Sequence, residues 1–341
     1  MDPKSKRLLG KSKVAVTVLG CGGGPLGDMY TLLDNNEAIA TVETAYDLGI
    51  TLFDTSPFYG HGLSEQRFGA ALRGKPRNSF VLSTKVGRYL VPPTAAQPLD
   101  RTPFKGGLDF NHVFDYTREG VLRSIDQSMA RLGLSTIDCL IIHDVDVWTH
   151  GTRAVYEQKF KETMDGCYHV LDDLRSQKVV KAIGVGLNEV NICMEFAAAG
   201  DFDFFLLAGR YTLLEQGALD DFLPLCEKRN IGIMLGGPYN SGILATGAIE
   251  GAKYNYVPAP ADILDKVRRI EAVCRRHDVP LAAAALQFPL GHPSVTSMIP
   301  GAVSPAETKR NVELMAKMIP AALWAELKSE GLLAERAPVP T

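Results

Sequence analysis

The sequence lacks an excess of charge of either sign. Its 36 lysine and arginine residues stand against 39 aspartate and glutamate residues, and the only short basic stretch is the opening from Lys4 to Lys13. Proteins that bind nucleic acid or anionic membranes usually carry a basic patch or tail. We therefore expect neither nucleic acid nor a membrane as a partner of this chain.

Paired cysteines are also lacking. The cysteines are dispersed, with no Cys-x-x-Cys pair and no histidine nearby at the spacing of a zinc site. Dispersed thiols are typical of proteins from a reducing compartment. We expect buried, reduced cysteines in a cytoplasmic protein, and no metal site. The six cysteines are Cys21, Cys139, Cys167, Cys193, Cys226 and Cys274.

Long hydrophobic runs are missing as well. No segment approaches the ~20 apolar residues that a membrane span requires. The apolar stretch from Val14 to Leu19 follows basic residues and precedes Gly20 and Cys21, as in a lipoprotein signal. It is only about as long as the shortest signal core, roughly 7 residues, and it leads into glycines. We interpret it as part of the first strand.

What the sequence does contain is a regular alternation of strand-like and helix-like runs. Several strand-like runs are continuously apolar, as in Cys139 to Ile142, which is typical of strands covered on both faces in a parallel sheet. Eight strands are predicted: Val16–Cys21, Thr51–Asp54, Phe80–Lys85, Ile137–His143, Ala182–Gly186, Phe204–Leu207, Gly232–Leu235 and Val295–Ile299.

The intervening runs have the signals of amphipathic helices. One apolar stripe ends at Gly49, and a second follows Thr117, a possible N-cap, and ends at Gly133. The two stripes consist of Ile39, Val42 and Tyr46, and of Leu122, Ile125, Met129 and Leu132.

Repeated strand–helix units build either an open doubly wound sheet or a closed barrel, and eight of them favour the barrel. We expect an α/β protein with one (β/α)8 TIM barrel domain over residues 1–341. Leu8-Leu9 and Val14 flank Gly10-Lys11-Ser12 and predict an N-terminal β-hairpin that caps the barrel bottom. The longest loops, 86–116, 144–165 and 236–261, each follow a predicted strand, where a barrel keeps its binding site.

Polar residues stand at the carboxyl ends of consecutive predicted strands. Asp54, Lys85 and His143 end the second, third and fourth strands, and Asn188 follows the fifth. In a barrel these ends meet at one mouth. Tyr59 lies five residues beyond Asp54, so a short loop can bring its hydroxyl over the same mouth.

These residue types make chemical sense together. A phenol has an ordinary pKa of about 10, and a neighbouring ammonium lowers that value. Lys85 supplies the ammonium, and Asp54 is the carboxylate that keeps a buried lysine charged. His143 can then orient a carbonyl or alcohol oxygen while Tyr59 gives or takes the proton.

Each of these residues has an ordinary structural explanation when taken alone. Asp54 can be a turn residue, Tyr59 a rim aromatic, Lys85 a solvated strand end, and His143 a hydrogen-bonded core histidine. Their arrival in order at successive strand ends favours a functional site over four coincidences.

At this point the sequence resembles a known family. The segment from Phe53 to Gly60 with Ser64-Glu65, then Ser83-Thr84-Lys85, then Leu140 to His143, is similar to the catalytic tetrad pattern of the aldo-keto reductases. The resemblance covers nearly the whole chain, from Leu19 to Asn311. It implies the barrel, a nicotinamide cofactor across its mouth, and hydride transfer next to Tyr59.

The resemblance also implies a set of cofactor contacts. Asn188 stands where the family holds the nicotinamide carboxamide, while Leu187 and Ala208 replace a serine and a glutamine that are frequent in the family. After the seventh strand, a turn-rich loop offers backbone amides for a pyrophosphate. The alternative interpretation of this loop is a turn with no role in binding. The expected cofactor residues are Gly22, Asn188, Tyr211, Gly237, Pro238, Asn240, Ser241, Gly242, Leu244, Pro300, Gly301, Glu307, Arg310 and Asn311.

The residues after the eighth strand bear on the choice of cofactor. Family members that prefer NADPH usually carry basic residues there, where this chain has Gly301, Val303 and Glu307. A carboxylate repels a 2′-phosphate but accepts a hydrogen bond from the 2′-hydroxyl of NAD. We therefore expect NAD, with NADP still possible because Lys309 and Arg310 are close by.

Three functions remain open. Leu207 to Glu215 and His143 to Asp146 resemble the family's sugar 1-dehydrogenases, which act on L-fucose, D-arabinose or L-galactose, and pyridoxal 4-dehydrogenase. This resemblance implies NAD-dependent oxidation of a cyclic hemiacetal to a lactone. The alternatives are an NADPH-dependent aldehyde or ketone reductase, and a non-catalytic nucleotide-sensing subunit like the potassium-channel β subunits.

His61, Tyr89 and Trp148 lie on the presumed mouth loops and are the expected substrate contacts.

Overall fold

The computed structural model describes all 341 residues and contains fourteen strands. In chain order the strands are β1 (Lys6–Leu8), β2 (Ala15–Thr17), β3 (Cys21–Gly22), β4 (Leu52–Asp54), β5 (Val81–Val86), β6 (Arg88–Val91), β7 (Asn111–Phe114), β8 (Cys139–His143), β9 (Ala182–Leu187), β10 (Phe204–Ala208), β11 (Gly232–Gly236), β12 (Lys253–Tyr254), β13 (Val257–Pro258) and β14 (Val295–Ile299).

Thirteen α-helices accompany the strands, and short 3-10 turns and one π-helical turn lie between them. The helices are α1 (Asn35–Asp47), α2 (Leu63–Leu72), α3 (Arg118–Leu132), α4 (Val147–His150), α5 (Arg153–Glu162), α6 (Tyr168–Ser176), α7 (Val190–Ala199), α8 (Phe222–Arg229), α9 (Ile243–Thr246), α10 (Ala261–Arg276), α11 (Leu281–Gln287), α12 (Pro305–Ala316) and α13 (Ala321–Ser329). None of them is both long and apolar enough to cross a bilayer.

Eight strands form one parallel sheet in the order β14-β11-β10-β9-β8-β5-β4-β3, and the sheet closes on itself. Leu19 pairs with Met298 and Gly22 with Gly301 in parallel bridges. The amide of Gly22 donates to the Pro300 carbonyl at 3.0 Å. A Cβ atom at Gly22 would lie 2.7 Å from the Ile299 carbonyl oxygen, so the closure requires glycine there. The predicted (β/α)8 barrel is confirmed.

The predicted N-terminal hairpin is present and closes the bottom of the barrel. Strands β1 and β2 pair antiparallel, and Leu9, Val14 and Val16 join strand residues such as Ile141 in an inner cluster of 11 buried residues. Burying a side chain of this kind stabilises the fold by about 1.5–3 kcal/mol. Arg7 fastens the hairpin to the last barrel unit by donating to the Val295 carbonyl at 2.6 Å.

The first predicted strand, Val16–Cys21, is wrong in its bounds because the apolar run belongs to two elements. The hairpin strand β2 ends at Thr17 and the barrel strand β3 is Cys21–Gly22. Val18 and Leu19 between them are buried, because the chain passes through apolar surroundings from the hairpin to the barrel wall. The other barrel strands lie within two residues of their predicted bounds.

The predicted helices α1 and α3 are also found, with the expected ends. The Thr117 hydroxyl accepts from the Gly120 amide at 3.2 Å and begins α3, and Gly133 ends it with a left-handed φ of 59°. The three long loops contain the β6–β7 hairpin, helices α4 and α5, and helix α9 with the β12–β13 hairpin. They stand at the carboxyl ends of β5, β8 and β11 and surround the mouth.

Candidate active site

A cavity of about 620 Å³ opens at the carboxyl ends of the barrel strands. Its lining combines apolar and aromatic groups with a few polar ones, as in many small-molecule sites. Tyr59, His143 and Asn188 of the expected site line it, together with Trp148 from the loop after β8. The sequence-based expectation that these side chains meet at one mouth agrees with this arrangement.

Asp54 and Lys85 form a buried ion pair beneath the cavity. The Lys85 ammonium lies 2.7 Å from Oδ2 of Asp54 and also donates to the Thr55 carbonyl at 2.8 Å. Both side chains are almost completely buried, and Ser83 donates to the other Asp54 oxygen at 2.7 Å. The ammonium is 4.7 Å from the centroid of the Tyr59 ring. One positive charge is therefore fixed beside the phenol.

The pKa of Tyr59 differs from the sequence-based expectation. Burial raises the pKa of the phenol well above 10, the carboxylates of Asp54 and Asp144 raise it further, and only Arg88 opposes them. The expected lowering of this pKa is not found, because the cost of burying a phenolate is the largest effect. Tyr59 is a neutral proton donor near pH 7.

His143 is held neutral and in one tautomer. Burial, Arg88, Lys85 and His112 lower its pKa well below 6.5. Arg88 donates to Nδ1 of His143 at 2.9 Å, and a guanidinium can only donate. Nδ1 is therefore the unprotonated acceptor and Nε2 carries the proton. The Nε2–H group can donate to a carbonyl or alcohol oxygen in the cavity.

Asn188 is anchored through its amide groups. Its backbone amide donates to Oδ2 of Asp146 at 3.0 Å and its side-chain Nδ2 to the same oxygen at 3.2 Å. Asp146 is fully buried and also caps helix α4 through the Thr149 amide at 2.9 Å. With its Nδ2 committed to carboxylates, Asn188 offers its Oδ1 as an acceptor, which suits the NH2 group of a carboxamide.

The loop after β11 has a conformation that exposes backbone amides. Gly237, Asn240, Ser241 and Gly242 all have left-handed φ values, between 44° and 102°. The amides of Asn240, Gly242 and Leu244 donate within the loop, whereas those of Tyr239 and Ser241 have no protein acceptor. Successive amides in such turns bind anions. Leu244 itself is buried, and Pro238 has no N–H group.

A small hairpin covers part of the mouth beside this loop. Asn255 and Tyr256 form its two-residue turn, both with left-handed φ, which is the pattern of a type I′ turn. Arg210 donates to Oδ1 of Asn255 at 2.8 Å, and the Tyr256 amide donates to Oγ of Ser241 at 2.9 Å. Asn255 and Tyr256 both line the cavity. The hairpin tip thus connects the cavity wall with the loop after β11.

The start of helix α12 supplies the remaining expected cofactor residues. Oε2 of Glu307 accepts from the Val303 amide at 2.9 Å while Ser304 caps the Glu307 amide at 3.3 Å. Glu307 therefore has a capping role that the sequence analysis did not anticipate, and its other oxygen stays exposed with Arg310 nearby. Oδ1 of Asn311 accepts from the Tyr239 hydroxyl at 2.8 Å, which joins α12 to the loop after β11. Pro300 and Gly301 lie at the barrel closure beside Gly22.

Other protein groups surround three of the expected site residues that do not line the cavity, namely Tyr211, His61 and Tyr89. Tyr211 is fully buried and packs on Phe288, with ring centroids 5.3 Å apart. His61 is also fully buried, and its Nδ1 contacts the Phe110 carbonyl. Tyr89 lies under Arg123, whose guanidinium is 4.7 Å from its ring. The cofactor contact expected at Tyr211 and the substrate contacts expected at His61 and Tyr89 therefore stay predictions that the positions of these side chains do not support.

Arg88 is the main site residue that the sequence analysis missed. It is 3% exposed, lines the cavity and lies between the rings of Phe58 and Phe114, at 4.4 and 4.3 Å from their centroids. It also donates to Asp144 at 2.8 Å. The available signal was its place three residues after Lys85, but a charged residue inside a long loop is not distinctive in one sequence.

These features fit a dinucleotide. The free Oδ1 of Asn188 would accept from a carboxamide, and the unpaired amides of Tyr239 and Ser241 would donate to a pyrophosphate. The buried Oδ1 of Asn240 has no protein partner and could accept a further hydrogen bond. A closed barrel that holds a phenol, an ion pair and a neutral imidazole at its mouth has the groups that acid–base catalysis requires.

Comparisons with known proteins identify the family. The model of the Aldo/keto reductase family matches residues 18–330. The chain therefore belongs to the aldo/keto reductase family and is an oxidoreductase of a family that uses nicotinamide cofactors.

Two relatives and one solved structure add detail. The chain is 40% identical to pyridoxal 4-dehydrogenase of Microbacterium luteolum, over 98% of this chain and 99% of that protein. It is also 40% identical to D-threo-aldose 1-dehydrogenase of a Pseudomonas species, over 94% and 95% of the two chains. An aldo-keto reductase of Bacillus halodurans in its holo form shares the fold, with a TM-score of 0.73 and 24% identity over 98% of each chain.

Proposed function

We propose that this protein is an NAD-dependent dehydrogenase that oxidises a cyclic hemiacetal, an aldose such as L-fucose, D-arabinose or L-galactose, or pyridoxal, to its lactone. The observation that carries the proposal is the cavity itself. It brings the Tyr59 phenol and the Nε2–H of His143 to one apolar-walled pocket, with their rings 6.0 Å apart. Relatives that are 40% identical over nearly the full chain act, by their names, on pyridoxal and on aldoses.

The reacting hydroxyl would lie between Tyr59 and His143. His143 donates from Nε2 to the substrate oxygen and fixes its position, and the phenolate form of Tyr59 takes the hydroxyl proton and becomes the neutral phenol. The Lys85 ammonium, 4.7 Å from the Tyr59 ring centroid, stabilises the phenolate that must form before this transfer. Asp54 holds Lys85 in place. A bound nicotinamide dinucleotide supplies the acceptor of the hydride.

This chain's residues also suit the cofactor. Asn188 would accept from the carboxamide through Oδ1, and the amides of Tyr239 and Ser241 would donate to the pyrophosphate. Gly237 and Gly242 have room where a side chain would stand, which allows the cofactor to approach the backbone closely.

The preference for NAD rests on the start of helix α12. The exposed oxygen of Glu307 would accept from the 2′-hydroxyl of the adenosine ribose and would repel a 2′-phosphate. A cell keeps its NAD pool mostly oxidised, which favours the oxidative direction. The six buried, unpaired cysteines support a reducing compartment such as the cytoplasm.

Absorbance at the NADH band tests the proposal. The purified chain would be mixed with NAD and, separately, with L-fucose, D-arabinose, L-galactose, pyridoxal and a simple secondary alcohol. We expect NADH with at least one hemiacetal and none with the alcohol. NADPH consumption with 4-nitrobenzaldehyde, without oxidation of any hemiacetal, would instead establish the carbonyl reductase.

A further inference from the structure

Asp144 lines the cavity next to His143 and is held in an unusual backbone conformation. Its φ is 55°, in the left-handed region that few residues other than glycine, asparagine and aspartate adopt. Its amide donates to the Gly186 carbonyl at 3.0 Å, and its side chain is 15% exposed. The conformation directs a carboxylate toward the cavity rather than into solvent.

Arg88 holds this carboxylate in place. One Nη atom donates to Asp144 at 2.8 Å and the other to His143 at 2.9 Å, so a single guanidinium fixes both groups. The stacking of Phe58 and Phe114 on the guanidinium leaves it no freedom to turn away. The position of the Asp144 carboxylate relative to the imidazole is therefore fixed before any substrate arrives.

The Asp144 carboxylate has acceptor capacity left. An ionised carboxylate has about four lone-pair sites, and here Arg88 and the Nδ2 of Asn188, at 3.3 Å, use two of them. The pairing with Arg88 offsets the free-energy cost of burying the Asp144 carboxylate. A further donor from the substrate can be accepted without displacing a protein group.

The geometry relative to His143 defines which substrate atom this donor is. Oδ2 of Asp144 lies 3.4 Å from Nε2 of His143, the atom that would contact the reacting oxygen. Two oxygens on neighbouring carbons are separated by roughly the length of a hydrogen bond, about 2.8 Å. A hydroxyl on the carbon next to the reacting carbon therefore reaches Asp144 when the reacting oxygen sits at His143.

We propose that Asp144 is a specificity-determining residue that accepts a hydrogen bond from a hydroxyl on the carbon adjacent to the reacting carbon. The preferred substrates are then aldoses with a free 2-hydroxyl group. This inference rests on the proposed function, because it takes the reacting oxygen to lie between Tyr59 and His143.

The test compares sugars with and without that hydroxyl. The pairs are L-fucose with 2-deoxy-L-fucose, and D-arabinose with 2-deoxy-D-ribose, measured as kcat/KM with NAD. We expect the wild type to prefer the 2-hydroxy sugar by about 10- to 100-fold, the size that a hydrogen bond to a charged group supports. In Asp144→Asn the preference should shrink to within about threefold, mostly through loss of the 2-hydroxy substrate.

A matched control separates this effect from general damage. Asp109→Asn removes an exposed carboxylate from the mouth loop after β5 and should keep the full preference. A merely structural role for Asp144 would lower kcat/KM for both sugars of a pair by the same factor, which overturns the proposal. If Asp144→Asn does not fold, the wild-type ratios decide alone, and equal kcat/KM for both members of each pair overturns it.

Failure of the proposed function has a different signature. If pyridoxal is oxidised and no sugar is, the dehydrogenase stands and this inference is wrong. If no hemiacetal reacts, the same comparison is run as reduction of glycolaldehyde and acetaldehyde with NADH and NADPH. A preference for glycolaldehyde that Asp144→Asn abolishes supports the role of Asp144 in a reductase, and equal rates overturn it.

Discussion

Arg88 fixes the tautomer of His143 by donating to its Nδ1 at 2.9 Å. Because a guanidinium has no acceptor, the imidazole proton is confined to Nε2, on the side of the cavity. A residue from the loop after β5 thus sets the hydrogen-bonding direction of a side chain at the end of β8.

Replacing Arg88 should therefore change the protonation pattern of His143. In Arg88→Met the Nδ1 acceptor loses its charged donor, and the Ser56 hydroxyl, 3.3 Å away, can accept from an Nδ1–H group as well as donate to Nδ1. The Nδ1–H tautomer therefore becomes populated, and we expect kcat to fall by about 10- to 100-fold, which is part of what a positioned acid–base group contributes. The ¹⁵N chemical shifts of the His143 imidazole report the tautomer directly, with His143→Gln for assignment. A wild-type spectrum with the proton on Nδ1 would contradict the assignment.

Tyr59→Phe removes the hydroxyl and keeps the ring beside Lys85. We expect kcat/KM to fall by about 10²- to 10⁴-fold, while the affinity for NAD, measured by quenching of protein fluorescence, stays within about twofold. Turnover close to that of the wild type, with cofactor binding intact, would exclude Tyr59 as the proton-transfer group.

Oxidation should become faster as the pH rises. The base must be the phenolate, and burial raises the pKa of Tyr59 well above 10. Below that pKa the phenolate fraction rises tenfold per pH unit, so kcat/KM should increase with pH from 7 to 9 with no plateau. Tyr59→Phe should lose this slope. A plateau below pH 8 would show that another group limits the reaction.

Glu307→Arg should reverse the cofactor preference. The substitution replaces a carboxylate that repels a 2′-phosphate with a group that pairs with one, and we expect the ratio of NAD to NADP affinity to fall by at least about tenfold. Glu307→Gln keeps the capping contact to the Val303 amide and controls for damage to α12. An unchanged ratio in Glu307→Arg would show that the ribose contact is absent.

The protein should lose stability in mild acid. Burial and Arg88 lower the pKa of His112 to about 4, and burial also lowers the pKa values of His61, His143 and His150. These groups bind protons more readily when unfolded, so stability is full above pH ~6.5 and falls as the pH drops toward the folded values. Tm should decrease from pH 7 to 5, and His112→Phe should flatten that decrease. An equal decrease of Tm in the wild type and in His112→Phe would contradict the role of His112 in the loss of stability.

The barrel and the ends of its strands were predictable because each signal is local. Polar residues after continuous apolar runs located Asp54, Lys85 and His143 without any alignment. Arg88 escaped because its role depends on where the β6–β7 hairpin folds back, and that is decided by packing on Phe58 and Phe114.

The positions of His61 and Tyr211 away from the cavity have causes in the backbone. Gly60 and His61 both adopt left-handed φ values, which turn the His61 side chain inward beneath the mouth. Gly209 likewise reverses the chain after β10, so that Tyr211 packs on Phe288 instead of facing the cavity. The hydrophobic pattern of a sequence does not predict the backbone dihedral angles of single residues such as these.

The contact from Arg7 to the Val295 carbonyl joins positions 288 residues apart. During synthesis Val295 follows Arg7 by nearly the whole barrel, so this contact forms only after the last barrel strand has left the ribosome. The hairpin can pack on the earlier strands before then, but its attachment to the last strand–helix unit is completed after translation.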